Sequence, residues 1–455
     1  RTGGDACGGT ARHMRRIYAD FAYSEVPRAG CWWDETCAAP DRAAQEGEER
    51  ADVVIIGGGF TGLNAALHLA QAGVGATVLE AERVGFGASG RNGGFCCLGG
   101  GMLDDAALDR KFGREERLAW RQAEKAAIGQ VEDFITTRDV DVDRHSQGET
   151  QLAHRPRDFD EMRGKLDYYA ENYGVTARLT EKTDLAAEGL NAGFEGAITV
   201  PIGFGLNPRK YVTALAQAAE EAGATVYHNS LALNVTRRDG AFDVTTPKGR
   251  IRAERVIIAT NGYSSEDLPP WLAARYMPTQ SSVIVTRPMT EAELSAQGWT
   301  SRQACYDSRH LLHYFRLMPD NRMLFGVRGG LMSNPNSERR ALRRARADFE
   351  AMFPAWRNVE TPHGWSGMVC IARNRMPFVG EVPDQPGMFA GLCYHGNGVA
   401  MASYSGALLA DLVRGKTPEQ PYPAPMRAPL ARFELGRFRR AVMPFAYAGF
   451  ALSDR

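Results

Sequence analysis

The chain has 455 residues, 44% hydrophobic and 24% charged, which supports a large folded core and excludes a disordered protein. That length is about three times a usual domain, so one large enzyme fold or two interleaved domains is predicted and a small binding module is excluded. Lys plus Arg and Asp plus Glu both total 54, so there is no net basic field of the kind that selects nucleic acid.

Eight cysteines lie in no CxxC and at no regular spacing, which argues against a disulfide framework or a metal centre and for a reducing, cytoplasmic setting. No signal-peptide profile and no run of about 20 apolar residues is present. Residues 1–13 are Gly-rich and aperiodic and read as vector-derived sequence ahead of Met14. Residues 14–50 carry Tyr18, Phe21, Tyr23, Trp32 and Trp33 followed by the polar stretch DRAAQEGEER, and read as an arm lying on the body.

From Ala51 onward, ADVVIIGGGFTGLNAALHLAQAGVGATVLEAE predicts a buried strand at Asp52–Ile56, a helix at Thr61–Ala72 and a second buried strand at Ala76–Leu79. Helical periodicity follows in 105–137, 156–173 and 208–222, and again in 337–353. A meander of short strands runs to Arg255–Ala259, and a separate strand set occupies Ser282–Thr286 and Tyr314–Arg328. A helix-like run at Ala400–Val413 precedes a basic, apolar tail that packs on the body or touches a membrane surface or partner.

This order predicts an α/β protein in which a Rossmann-type dinucleotide-binding domain (51–100, 201–264 and 365–415) is interleaved with an α+β substrate domain. The substrate domain (101–200 and 265–364) is expected to rest on a mostly antiparallel sheet, with 416–455 as the tail.

Gly57-x-Gly59-x-x-Gly62 joins a strand to a helix, where missing side chains let the backbone approach a pyrophosphate at the positive helix end. Glu80 ends the next strand and is placed to accept hydrogen bonds from a ribose. The second donor-rich loop, Gly85 to Gly94, favours FAD over NAD, because Ser89, Arg91, Asn92 and exposed N–H groups suit phosphate and flavin. Gly396-Asn397-Gly398-Val399 precedes a helix whose dipole stabilises negative charge, as on a reduced flavin.

GGGFTGL, VLEAERVGFGASGRNGG, VIIATNGY, WSGMVCIARNRMPFVGEV and CYHGNGV, in this order, resemble the D-amino-acid-oxidase-like FAD-dependent oxidoreductases, and among them the γ-glutamylputrescine oxidases. The resemblance runs from about Ala51 to the C-terminus. It implies FAD contacts, non-covalent, at Gly57, Gly59, Phe60, Thr61 and Gly62, at Glu80 and Ala81, and at Ala88, Ser89, Arg91, Asn92, Gly93 and Gly94. It also implies adenine near Ala232, pyrophosphate near Thr260-Asn261-Gly262, and flavin at Gly396-Asn397-Gly398-Val399. Where relatives read Tyr-Ser-Gly-His-Gly, this chain reads Tyr394-His395-Gly396-Asn397-Gly398.

The activity so implied is oxidation of the C–N bond of a small-molecule amine or amino acid, by hydride transfer to flavin N5, with imine hydrolysis and oxygen as acceptor. Two alternatives stay open: a two-subunit, taurine-type dehydrogenase using a quinone or protein carrier, and a non-catalytic redox sensor bound to a partner. Candidate catalytic residues are His395, as proton acceptor or amine orienter, with Tyr394 and Trp365. His310, His313 and Tyr314 are candidate pocket residues, and Arg316 and Arg328 are candidates for an anionic substrate group. Oligomerisation is left open.

Overall fold

The computed structural model describes residues 14–330 and 332–454, so the reading of residues 1–13 lies outside the described residues. Two eight-stranded sheets organise the chain.

The first sheet is mixed, with a parallel centre and antiparallel strands at Phe378–Glu381, Ala241–Thr245 and Asn234–Arg238. Gly47–Ile56 lies between Ala76–Leu79 and Gly249–Ile258, all parallel, with Thr225–Tyr227 beyond the former and Met388–Leu392 beyond the latter. Val53 to Ile56 are buried, as expected for a strand covered on both faces. The predicted second strand falls at Ala76–Leu79 as read. The first begins earlier than predicted: the charged stretch Gly47–Arg50 pairs in register with Gly249–Arg252, with Glu48 exposed and Glu49 half-buried against the Tyr227 hydroxyl. Polar composition hid a strand whose outer half is only partly covered.

The second sheet is mostly antiparallel, with one parallel pairing between Ala304–Asp307 and Glu149–Ala153. Both sheet types match expectation. The strand His363–Ala372, grouped on sequence with the FAD segments, hydrogen-bonds along Tyr276–Val285 in this second sheet. The helical stretch 105–137 is split by Gly113 (φ 89°) into Asp105–Phe112 and Arg114–Thr137.

One contact sets the geometry at the head of the first sheet. A Cβ on Gly62 would sit 2.0 Å from the carbonyl oxygen of Gly57, so the helix Phe60–Gln71 starts in direct backbone contact with the strand end. Gly57 itself has φ 113°, open to glycine and strained for other residues.

The arm is locked in place. Arg28 is fully buried; its Nε donates to Asp34 Oδ2 at 2.8 Å and its Nη1 to the carbonyls of Gly85 and Phe86 at 2.9 and 2.8 Å. The tail also packs in part: the Arg439 Nε donates to the Tyr276 carbonyl at 2.8 Å, and Asp454 accepts from the backbone of His310. Phe445 and Leu452 remain exposed. Among the described residues no helix is long and apolar enough to cross a membrane.

Arg28→Ala should leave two buried carbonyls without their donor and Asp34 without its closest partner, and cost on the order of 3 kcal/mol. Calorimetry should show a lowered unfolding temperature for it and none for Val26→Ala at the exposed neighbouring position.

Candidate functional site

A cavity of about 390 Å³ runs from the Gly57–Thr61 turn to the second sheet. Its nucleotide end is built by the turn, by Glu80 and Ala81, and by Ala232, Thr260 and Asn261. Its far end is built by Cys97, Glu149, Ser281, Tyr306, Tyr314 and Arg328. Ala88, Ser89, Arg91, Asn92 and Gly93 line the stretch between, facing Gly396, Asn397, Gly398 and Val399.

At the nucleotide end the helix Phe60–Gln71 has no acidic residue in its first turn and no side-chain cap of its own, so part of its positive end stays open to a ligand. The Phe60 N–H donates to Ser89 Oγ at 2.9 Å, which docks the donor-rich loop on the turn. Glu80 Oε2 accepts from Gly58 N–H at 2.7 Å and Oε1 from Glu82 N–H at 3.2 Å. Burial raises its carboxyl above the usual range, against the pull of those backbone donors. Each oxygen keeps a lone pair for a ribose hydroxyl. Gly62, Gly94 and Gly262 do not line the cavity; Gly62 packs on Gly57 and Gly94 on the Leu206 carbonyl, so both act through backbone packing.

The second open helix end is Gly398–Val413, also without a side-chain cap or first-turn acid. Asn397 turns its amide away, donating to the Leu98 carbonyl at 2.7 Å. Tyr394 faces the cavity with its hydroxyl 2.8 Å from Thr61 Oγ1, joining the two helix starts.

The fit to a large polar cofactor rests on buried donors that the protein leaves unused. Arg91 Nη2, Tyr263 OH, Tyr23 OH and Ser265 Oγ all belong to cavity-lining residues, are buried, and have no partner among the described residues. Arg91 is otherwise fixed, with Nε donating to the Phe86 carbonyl at 2.7 Å and its guanidinium over the Phe86 ring. Two open helix ends, an acid at the ribose position and orphaned donors together match an anionic dinucleotide.

A family model described as FAD dependent oxidoreductase matches residues 52–412. The chain belongs to that family. FAD is its cofactor and it is an enzyme, an oxidoreductase of the D-amino-acid-oxidase-like fold. It is 32% identical over 432 residues to a probable oxidoreductase OrdL of Rhizobium meliloti, covering 93% of this chain and 97% of that protein. It is 30% identical to the γ-glutamylputrescine oxidoreductase of Escherichia coli, over 89% of this chain and 93% of the relative. Among solved structures, glycine oxidase from Geobacillus kaustophilus superposes with a TM-score of 0.68 at 20% identity, covering 84% of this chain and 99% of that one.

Several residues predicted for catalysis or substrate stand elsewhere. His395 does not line the cavity: its Nδ1 donates to the Gly100 carbonyl at 2.9 Å and its Nε2 accepts from the Ala372 N–H at 3.1 Å. With both nitrogens taken and burial pushing it down to about 4, it braces the turn as a neutral ring and has no nitrogen left for a substrate. Trp365 is buried, its Nε1 donating to the Arg91 carbonyl at 2.7 Å.

Arg316 donates to the Gly93 and Leu206 carbonyls and to His145 Nε2, at 2.8, 2.7 and 2.8 Å, so it clips the loop and has no fork to offer an anion. His310 pairs with Asp454 near the surface, and His313 with Asp307 and Asp348. Tyr314 and Arg328 do line the cavity. The residues sequence reading missed are Glu149, Tyr306 and Ser281. Glu149 follows Gly148 and opens a strand in which Thr150, Leu152 and Ala153 are also buried, so an acid at the head of a mostly buried strand was the available signal.

Removing Glu80's charge, as in Glu80→Gln, should weaken FAD binding by about 1.5–3 kcal/mol, roughly tenfold or more. Equilibrium dialysis of the flavin measures it, and unchanged retention would exclude the ribose role. A second expectation concerns acid. Burial, as the main cause, pushes His145, His228 and His395 down to about 3, 4 and 4 from the ordinary 6.5. The unfolded chain therefore binds more protons between about pH 4 and 6.5, and stability should fall as pH drops through that window. Melting curves from pH 7 down to pH 4 check it, with the buried Glu149 carboxyl, pushed up to about 8, offsetting part of the loss because it titrates in the opposite sense between about pH 4.5 and 8.

Proposed function

We propose that the protein oxidises the C–N bond of a small-molecule amine or amino acid and passes the electrons to oxygen. The observation that carries this reading is the chamber at the far end of the cavity, where Arg328, Tyr306, Tyr314 and Glu149 stand beyond the open end of the helix Gly398–Val413. Printed names among the relatives point the same way: one is a γ-glutamylputrescine oxidoreductase and others are glycine oxidases.

Bound FAD supplies the two-electron acceptor, which the side chains of the chamber lack. The protein's part is to bind, orient and desolvate. Arg328 is half-buried among aromatic residues with no hydrogen bond or ion pair among the described residues, and desolvation lowers its guanidinium below the usual range. It holds spare fork geometry for a carboxylate or sulfonate. The Tyr314 hydroxyl, 2.9 Å from Ser281 Oγ, and the Tyr306 hydroxyl provide neutral polar contacts. The first turn of Gly398–Val413 offers N–H groups to the negative charge that accumulates on reduction.

Anaerobic titration of the flavin absorbance with a panel of amines, amino acids and aminosulfonates, followed by air, tests this. Bleaching with fast recovery and peroxide is expected. Bleaching with slow recovery would replace oxygen by a quinone or protein carrier, and no bleaching with any compound would overturn the enzymatic reading. Arg328→Met should raise KM for anionic substrates by about tenfold to a hundredfold, as expected for a lost charge-assisted contact.

A further inference from the structure

The arm ahead of the first strand supplies part of the cofactor cavity. Met14, Arg16 and Tyr23 line it, although all three precede residue 52, where the match to the family model begins. Contacts to the body fix the arm in that position. The Arg15 N–H donates to Asp267 Oδ1 at 3.2 Å and its carbonyl accepts from the Glu266 N–H at 2.9 Å. The Tyr18 hydroxyl donates to the Pro278 carbonyl at 3.2 Å, and Glu25 pairs with Arg83.

Held in this way, Arg16 brings to the cavity wall a guanidinium that the protein does not use up. The residue is half-buried, and its guanidinium lies 4.3 Å from the centroid of the Tyr23 ring. Its Nε is enclosed without a hydrogen-bond partner, and the side chain makes no ion pair among the described residues. Arg91 belongs to the same aromatic group: its guanidinium lies 5.6 Å from the Tyr263 ring, and Tyr263 meets Tyr23 edge-on at 6.3 Å. The Arg91 Nη2 and the Tyr263 hydroxyl are enclosed and unpartnered as well.

The acids nearby do not account for the two cations. Glu82 lines the cavity within electrostatic reach of both, yet neither closes on it as an ion pair, and burial, reinforced by Glu25, raises its carboxyl above the usual range. Glu80 is engaged by the Gly58 and Glu82 N–H groups. Enclosed guanidinium N–H groups on two separate segments around one cavity call for an acceptor-rich anion from outside the protein. Arg91 sits on the loop that Ser89 docks on the first turn of Phe60–Gln71, and such a helix start is where phosphate binds. A diphosphate has acceptors only and one negative charge on each phosphate, which matches one guanidinium from each segment.

We propose that the arm is a clasp on the FAD diphosphate, with Arg16 of the arm and Arg91 of the body holding it between them, so that retention of the cofactor depends on a segment outside the family's shared core. This rests on FAD as the cofactor and not on the amine-oxidising reading, so a failed substrate titration leaves it standing.

The test is ligand binding to the full chain, with the affinity for FAD measured by equilibrium dialysis. ADP, which keeps the diphosphate, and adenosine, which lacks it, are competed against FAD. Arg16→Met should weaken FAD and ADP by about tenfold to a hundredfold and leave adenosine unchanged. Arg16→Gln, which keeps a polar side chain, should give the same pattern, and an unchanged melting temperature of the flavin-free protein marks an intact fold. Arg15→Met, at the exposed neighbouring position, should bind all three ligands as the wild type does. Wild-type affinity for FAD and ADP in both Arg16 variants would overturn the proposal. An equal loss for adenosine would overturn it too and leave Arg16 as a brace for the arm, and an equal loss in Arg15→Met would reduce the effect to net charge.

Discussion

The backbone contact between Gly57 and Gly62 is the constraint on which the cavity depends. A Cβ at Gly62 would fall 2.0 Å from the Gly57 carbonyl, so helix and strand meet there without a side chain between them. That contact aims the first turn of Phe60–Gln71 outward as a positive rim, and the loop carrying Ser89 and Arg91 docks on the same turn through the Phe60 N–H. The arm then closes over the loop from the other side, with Arg28 on the Gly85 and Phe86 carbonyls and Trp33 donating to the Asn92 carbonyl. A flexible glycine-rich sequence thereby becomes a fixed surface, and ordering it in advance spares the cofactor that entropy cost.

Guanidinium groups do much of this work, and counting their donors separates structural arginines from receptive ones. Arg28 spends its donors on one carboxylate and two carbonyls, and Arg316 spends its own on two carbonyls and a neutral imidazole. Both are buried, with every guanidinium nitrogen engaged. Arg91 keeps Nη2 in reserve beside the cavity, and Arg328 keeps its whole fork. A buried donor left without a partner, as at Arg91, is costly in a folded protein, and the half-buried Arg328 has its donors free for a ligand. Those two positions are therefore where a ligand's negative charge is worth most.

This distinction also explains what sequence could and could not reveal. The β-α-β unit was legible because its information is local: four buried residues, three glycines at fixed spacing and a carboxylate at a strand end. Helix breaks at Gly113 and the early strand start at Gly47 were not, since charged residues dominate both segments and pairing with Gly249–Arg252 comes from far along the chain. The substrate chamber was less legible still. His310, His313, Arg316 and Arg328 have similar chemistry and close spacing, yet only Arg328 reaches the cavity; the others meet Asp454, Asp307 and the Gly93 carbonyl. Strand register and distant partners decide among them, and neither is written in local composition.

His395 shows the same principle at the flavin end. Chemistry suggested an acid–base residue, but its backbone at φ 52° places the ring under the turn, where it joins Gly100 to the end of the second-sheet strand at Ala372. The imidazole can do this only as a neutral ring, with Nδ1 donating and Nε2 accepting. Protonation would turn the acceptor into a donor facing the Ala372 N–H, so burial and hydrogen bonding enforce one tautomer together. The turn that carries Gly396, Asn397 and Gly398 is thus anchored to both sheets, and the open end of Gly398–Val413 keeps its aim across the cavity toward Arg91. A positive helix end stabilises a developing anion only if it does not have to reorganise when the charge appears. In this fold the histidine beside the cavity holds that dipole in place.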